Sequence, residues 1–369
     1  MNTSKIKNIL QNNDFSKEGI LELLETSQSE AKLLFQKAKE VKSCQIGDKV
    51  YLRGLIEFSN MCVKDCLYCG IRKSNKNVER YFLSDDEIIQ AAKFAFSQNY
   101  ASIVLQSGEL KTKDFIARVA GLIQCIRKIT GKNFGITLSC GEQNESTYSR
   151  WFESGANRYL LRIETSNKEL YNKIHPNNSL HSFQKRIESL RVLKKTGYQV
   201  GTGIMVGLPG QNLSHIADDI LFMKDIDIDM CGIGPYIEHK ETPLFDQRNT
   251  LMPLNARFEL TLKVLAILRI IMKDINIAAS TALQSIDKLG REKAIRVAAN
   301  VFMPNITPQS YRKNYNLYDN KPCIAESPVD CQSCTIARIN LANGKVAFGE
   351  VGNSKHYLNR KNLIGEMNL

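Results

Sequence analysis

Cys62, Cys66 and Cys69 are separated by four and three residues, as Cys62-Val-Lys-Asp-Cys66-Leu-Tyr-Cys69. Three thiolates at this spacing in one loop can converge on a metal centre. A structural zinc site needs a fourth Cys or His to close its tetrahedron, and none stands within a dozen residues on either side. Three soft ligands on an iron–sulfur cubane leave one iron open to an external ligand; a zinc knuckle completed by a distant residue is the alternative. Cys323, Cys331 and Cys334 form a second trio, again without a nearby His. An iron–sulfur cluster with an exogenous ligand is expected there, against zinc or an empty, oxidisable site. The remaining cysteines, Cys44, Cys125, Cys140 and Cys231, stand singly and read as core or filler.

These residues need a scaffold, and the chain predicts one by alternation. Apolar runs ending in small or polar residues fall at 50–59, 101–109, 134–139, 158–165, 200–208, 229–237, 276–283 and 297–305. Such runs suit strands buried on both faces of a parallel sheet. Helical stretches lie between them: one opens on Ser84 with Glu87 at capping-box spacing, one runs from Phe183 to Lys195 and stops at Gly197, and one covers Ala256 to Met272. Eight strands alternating with helices over 50–305 predict a (β/α)8 TIM-type barrel. A doubly wound sheet would show a Gly-rich fingerprint after its first strand, and none is present. The expected organisation is a helical extension over 1–49, with two helices outside the barrel, then the barrel over 50–305. A cysteine-containing appendage without clear period, over 306–369, is expected to cover one mouth.

In the barrel the first trio directly follows the first strand, and an aromatic residue, Tyr68, precedes its third cysteine. This pattern resembles the signature of the radical S-adenosylmethionine (SAM) superfamily. The resemblance implies a [4Fe-4S] cluster whose open iron chelates SAM, with one electron from the cluster releasing a 5′-deoxyadenosyl radical. Strand ends carry further likenesses, where barrel active sites are built. Gln106-Ser107-Gly108-Glu109 resembles the segment that receives the methionyl amino group. Gly207-Leu208-Pro209-Gly210 and Gly232-Ile233-Gly234-Pro235 lie at later strand ends, the latter resembling the adenine-contacting segment; plain turns are the alternative. Ser139 ends the third strand. Arg162, Glu164 and Arg186 offer guanidinium groups for the SAM carboxylate and a carboxylate for its ribose or sulfonium, unless Arg162 and Glu164 only pair with each other.

Within the superfamily, RKSNKNVERY (72–81), TLSCGE (137–142), RYLLRIET (158–165), VGLPGQ (206–211), GIGPYIEH (232–239), VFMPNITP (301–308) and the terminal cysteine trio are similar to the HydE family of [FeFe]-hydrogenase maturases. The likeness spans roughly 45–345. Biotin synthase and methylornithine synthase are relatives, but the sulfur-donor cluster ligands of the former are not found. The HydE resemblance implies a small anionic iron complex with carbonyl, cyanide and cysteine ligands as substrate, delivered by a partner maturase. It also implies a reductase, ferredoxin or flavodoxin as electron donor, a hydrogenase assembly scaffold, and a second [2Fe-2S] or [4Fe-4S] cluster on Cys323, Cys331 and Cys334. Thr137, Arg162, Gln106, Ser280 and Thr281 are the expected pocket residues. Tyr315 aligns with a family position at the cavity mouth, ordinary packing being its alternative reading.

Composition bounds the remaining classes. The 369 residues are 43% hydrophobic and 24% charged, which excludes global disorder. No apolar run reaches membrane-span length, and the first 25 residues lack a signal peptide's apolar core. The cytoplasm is the expected location. Fifty Lys and Arg against 38 Asp and Glu give a net charge of +12, which suits nucleic acid, an acidic partner or small anions. The basic residues are scattered, so an RNA-binding module, a radical tRNA modifier or a simple iron–sulfur carrier is the less favoured class.

Overall fold

The computed structural model describes residues 3–367. Its strands, in chain order, are β1 (Lys49–Leu52), β2 (Gly54–Ser59), β3 (Ser102–Ser107), β4 (Gly135–Ser139), β5 (Arg158–Leu160) and β6 (Gln199–Thr202). There follow β7 (Met205–Val206), β8 (Met230–Cys231), β9 (Gly234–Pro235), β10 (Asn276–Ile277), β11 (Val301–Phe302) and β12 (Lys345–Val346). Seven of them form one parallel sheet in the order β2-β3-β4-β5-β6-β8-β10. The segment after β11 joins its two edges, bridging Ala278 to Val301 and Leu55 to Asn305. Hydrogen bonds from Ala279 N–H to the Val301 carbonyl (2.9 Å) and from Leu55 N–H to that of Pro304 (2.8 Å) close the ring. The result is the TIM-type barrel expected from the alternation.

The long apolar runs are real but shorter as strands. Arg53 separates β1 from β2, and β1 leaves the barrel to pair with β11 and β12. Residues 200–208 and 229–237 each break in two because Gly203 passes the Gly232 carbonyl so closely that a Cβ there would collide with it. Residues 281–283, expected in a strand, belong to the helix Thr281–Ile286, because Ser280 accepts from Ala282 N–H as its cap. The caps read from sequence hold elsewhere: Ser84 and Glu87 make a reciprocal box, and Gly197 takes the left-handed C-cap at φ 103°. The lone cysteines divide: Cys140 and Cys231 are buried, whereas Cys44 and Cys125 are exposed on helices.

Two corrections concern the ends of the chain. The extension before β1 has three helices, Thr3–Asn12, Lys17–Glu25 and Gln28–Gln45, because Asn13 turns left-handed at φ 52° and Ser16 caps a new start. The tail is not aperiodic: helices Gln309–Arg312, Pro328–Leu341 and Lys355–Met367 alternate with loops that cover both ends of the barrel. At the C-terminal mouth Gly70 N–H donates to the Leu317 carbonyl (3.0 Å) and Asn60 Nδ2 to that of Asn314 (2.7 Å). At the other end, residues 351–354 meet the first residues of several strands. Arg158 donates to the Val351 carbonyl (2.8 Å) and Asn353 Oδ1 (2.7 Å), Gln199 to Asn353 Oδ1 (2.8 Å), and Asn276 to the Gly352 carbonyl (2.9 Å). No helix among the described residues is long and apolar enough to cross a membrane.

The last helix is held by charge. His356 lies between Asp274 (2.9 Å) and Asp227, while Arg360 reaches Asp227 (3.0 Å) and the buried Asp229 (2.9 Å). Hydrogen bonding to Asp274, then to Asp227, raises the imidazole to about 9 against the opposing effect of burial. A folded-state value above the unfolded one means this contribution is complete below about pH 6.5 and lost as pH rises through 9. The protection factors of residues 355–363, with the intrinsic base-catalysed rate divided out, are therefore expected to fall between pH 7 and 10 in the native protein. In His356→Ala that helix should exchange fast throughout; identical pH profiles for the two proteins would disprove the link.

Candidate active site

The first trio sits in the loop after β2, at the C-terminal mouth. Val63 N–H donates to the Glu109 carbonyl (2.9 Å), and Glu109 N–H donates to Cys62 Sγ (3.3 Å), fastening the loop to the end of β3. Gly108 makes this approach possible, since a Cβ there would strike the Met61 carbonyl and come within 2.7 Å of Cys62 Cβ. All three thiols are free and partly accessible. Burial raises each of them, Cys66 to about 12, and the charges of Cys62 and Cys66 add to the effect at Cys69. The thiols are thus neighbours, and none of them is in a disulfide. Among the described residues no three Cys, His, Asp or Glu surround a single-ion position. A cluster asks for something else, because each thiolate binds its own iron, and the residues present fit that group.

The loop between the cysteines is gripped from the other side. Leu67 N–H donates to the Ile174 carbonyl (3.0 Å), Asp65 N–H to His181 Nε2 (2.9 Å), and Lys64 Nζ to the Leu180 carbonyl. The Tyr68 hydroxyl meets His175 Nε2 at 3.3 Å, and its ring packs on a cluster containing Leu170, Ile174, Leu208 and Tyr236. Burial lowers His175 to about 3, with the Arg186 charge adding to it. The ring is neutral, and Nδ1, near the Tyr171 carbonyl (2.9 Å), holds the proton.

Behind the loop lies a buried charge cluster. Glu142 is fully buried, pairing with Lys64 (3.0 Å) and Arg186 (2.5 Å). Burial works to raise its carboxyl, but Arg186 and then Lys64 outweigh it and bring it to about 2. Glu109 accepts from Glu142 N–H (2.8 Å) and faces Lys64 (3.6 Å) and Lys111 (3.0 Å). Arg186 also donates to the Arg162 carbonyl (2.6 Å). Its guanidinium therefore braces the site through Glu142 and the Arg162 backbone rather than standing free.

Arg162 and Glu164 do pair, at 2.9 Å, and Arg162 donates as well to the Ile204 carbonyl (2.8 Å). The Arg162 side chain remains 31% exposed, so the pair is not sealed off. Glu164 is left-handed at φ 67°, and burial raises its carboxyl against the pull of Arg162 and Arg186. Gly207, at φ 90°, donates to Gln211 Oε1 (2.7 Å), and a Cβ there would meet the Arg257 side chain. Ile233 is buried, with β9 beside it. Ser107 Oγ donates to the Gly108 carbonyl (2.7 Å). Ser139 ends β4 in register with Gln106 on β3.

The expected pocket residues divide in two. Gln106 acts electrostatically on the hydroxyl of the buried Tyr315, and Thr281 Oγ1 lies 3.0 Å from the Tyr318 hydroxyl, so both face the tail. Ser280 is spent on its helix cap. Thr137 differs: its hydroxyl is buried with no partner. Sequence reasoning missed Lys64, Glu142, His175, His181 and the buried pair Glu57–Lys321 (2.5 Å). Glu142 had a signal, since it closes the segment 137–142 two residues past Cys140; the partners of Lys64 lie 78 and 116 residues away and left none.

The second trio lies on the tail. Cys331 and Cys334 share a face of the helix Pro328–Leu341, and Cys323 precedes it at φ 63°. Arg338 Nε donates to Cys334 Sγ (3.3 Å), and Arg291 acts electrostatically on Cys323 and Cys331.

Comparison with known proteins agrees with this geometry. Residues 56–223 match the model of the radical SAM superfamily. The chain is 42% identical over 341 residues to the [FeFe] hydrogenase maturase subunit HydE of Thermotoga maritima, covering 91% of this chain and 93% of that protein. It is 29% identical to the 3-methylornithine synthase of Methanosarcina acetivorans, covering 79% of this chain and 80% of the relative. Among solved structures, methylornithine synthase PylB superposes with a TM-score of 0.79 at 24% identity, over 93% of this chain and 97% of that one. The maturase HydG of Carboxydothermus hydrogenoformans gives 0.77 at 18% identity, over 94% and 79%; at these identities the two structures speak for the fold.

Proposed function

The chain belongs to the radical SAM superfamily and, within it, to the HydE family of hydrogenase maturases, and on that premise we propose that its barrel receives a small anionic iron complex. As a radical SAM enzyme it works with a [4Fe-4S] cluster and SAM, which when bound supply a 5′-deoxyadenosyl radical by one-electron reduction. The cluster is assigned to Cys62, Cys66 and Cys69. SAM is assigned to the surrounding strand ends: Tyr68, Gln106 to Glu109, Ser139, Arg162, Glu164, Gly207 and Ile233, with Arg186 as their brace. A second cluster is assigned to Cys323, Cys331 and Cys334. The substrate complex carries cyanide, carbonyl and cysteine ligands, a partner maturase delivers it, and a ferredoxin- or flavodoxin-type protein donates the electron.

One observation carries the substrate reading: the unpartnered hydroxyl of Thr137, buried in the barrel. An unsatisfied buried hydroxyl costs about 1–3 kcal/mol, and a ligand acceptor removes that cost. Cyanide and carbonyl ligands are such acceptors, and Arg162 offsets the negative charge. The tail residues Tyr315, which Gln106 influences, and Tyr318, bonded to Thr281, shield the cavity from water. Exclusion of water protects a reactive intermediate.

Thr137→Val and Thr281→Val are therefore expected to keep SAM cleavage in the absence of substrate while losing hydrogenase maturation. The Thr137 variant should weaken substrate binding by roughly tenfold, as one hydrogen bond of about 1.4 kcal/mol predicts. Full maturation by both variants would place the pocket elsewhere. Turnover on an amino acid, with none on the iron complex, would move the chain towards the methylornithine synthase type.

A further inference from the structure

Glu164 adopts a left-handed conformation at φ 67° without being glycine. Such a conformation costs about 1–2 kcal/mol, and it persists only where the surroundings over-determine it. Its own backbone is held by two bonds, from Glu164 N–H to the Gly203 carbonyl (3.0 Å) and from Met205 N–H to the Glu164 carbonyl (3.1 Å). Those fix one side of the turn. The residues that follow, Thr165 and Ser166, are fixed from the helix Leu213–Asp225 by Asp219. One oxygen of Asp219 collects Ser166 N–H, Ser166 Oγ (2.6 Å) and Thr165 Oγ1 (3.3 Å). Thr165 Oγ1 in turn accepts from Asn167 N–H (3.2 Å).

Asp219 is fully buried, and among the described residues no cation pairs with it and its second oxygen has no partner. Burial raises its carboxyl to about 7, against the bonds from Ser166. A packing role would be met by an apolar residue at lower cost, since an uncompensated buried carboxylate is unfavourable. The three donors on a single oxygen indicate what it is there to do.

We propose that Asp219 is the positioning residue for Glu164: it clamps Thr165 and Ser166 so that the left-handed turn presents the Glu164 carboxylate to the barrel mouth beside Arg162. The proposal rests on the reading of Glu164 as a SAM ligand. The hydrogen bonds of Asp219 go to Thr165 and Ser166, so it acts through the turn.

The test is a double-mutant cycle on SAM affinity, measured on anaerobically reconstituted protein, with iron content and thermal midpoint followed in parallel. Glu164→Ala and Asp219→Ala are each expected to raise the SAM Kd by about tenfold with iron content unchanged, and the double variant no further than Glu164→Ala alone. At saturating SAM, Asp219→Ala should cleave SAM at close to the native rate. Asp219→Asn keeps the accepting oxygen and should recover native affinity to within about threefold. If Asp219→Ala does not fold, Ser166→Ala, which removes one donor, should raise Kd by about threefold in the native background and not at all beside Glu164→Ala. Additive losses in either cycle overturn the proposal while leaving Glu164 a ligand. Unchanged affinity in Glu164→Ala overturns the ligand reading, and the proposal falls with it.

Discussion

Replacing Cys62, Cys66 and Cys69 together by alanine is expected to leave a folded protein that forms no 5′-deoxyadenosine above the cluster-free background. Apart from the bond from Glu109 N–H to Cys62 Sγ, the loop is secured by backbone and side-chain bonds that do not involve sulfur: Val63 to Glu109, Leu67 to Ile174, Asp65 to His181 and Lys64 to Glu142. The thiols add one bond to that frame, at Cys62 Sγ, and all three are free and partly accessible. The iron of that cluster and SAM cleavage should therefore be lost, the iron on Cys323, Cys331 and Cys334 being retained, while the circular dichroism spectrum stays native. Replacing Cys323, Cys331 and Cys334 instead should remove additional iron and leave SAM cleavage largely intact, since that trio lies on the tail beside Arg291 and Arg338. Undiminished 5′-deoxyadenosine from the first variant would be incompatible with the assigned cluster site.

Glu142→Leu is expected to be the most destabilising single change in the site. Glu142 alone stands between Lys64 and Arg186, each side chain less than a tenth exposed. Removing the carboxylate takes the nearest anion from both cations, leaving Lys64 only Glu109 at 3.6 Å and the Leu180 carbonyl, and Arg186 the Arg162 carbonyl; breaking a buried pair costs about 3–5 kcal/mol. That is a large part of the roughly 5–15 kcal/mol that stabilises a typical domain. Urea unfolding should show the loss directly. The pH dependence has a definite sign. A folded-state value of about 2, below the unfolded carboxyl range, means that the stabilisation is complete above about pH 4.5. It disappears as pH falls towards 2. Glu142→Gln should accordingly lose stability at pH 7 but narrow its gap from the native protein in acid. Equal unfolding midpoints for native and Gln variants at pH 7 would show that Lys64 and Arg186 find compensation elsewhere.

The parts of this site legible in the sequence are those written in contiguous residues. The spacing of Cys62, Cys66 and Cys69, the Ser84–Glu87 box and the stop at Gly197 all act within a turn or a loop, where local chemistry decides conformation. Seven of the eight expected strand starts lie within one residue of the observed ones, but 158–165 and 276–283 run past the observed ends at Leu160 and Ile277, and the interruptions were not legible. The break after β6 comes from contact between Gly203 and Gly232, 29 residues apart, and no periodicity records it. The charge cluster of Lys64, Glu142 and Arg186 is equally non-local: Lys64 alone reads as an ordinary solvated charge, Arg186 as a ligand for the SAM carboxylate, and only closure of the ring joins them to Glu142 as a buried triad. The tail misled for another reason. Its helix Pro328–Leu341 starts with a Ser327–Asp330 capping box, but Pro and Cys at the positions just inside obscured the apolar period. The single cysteines illustrate the limit of a residue-type prior, since two of the four are exposed.

The measurement that bears most directly on the account is anaerobic maturation of an [FeFe]-hydrogenase apoprotein with this chain as the only HydE-type component, the other maturases, SAM and a reductant being supplied. Hydrogen evolution that depends on the chain, on SAM and on Cys62, Cys66 and Cys69 is the predicted result. Cleavage of SAM in the same mixture with no active hydrogenase formed would contradict it.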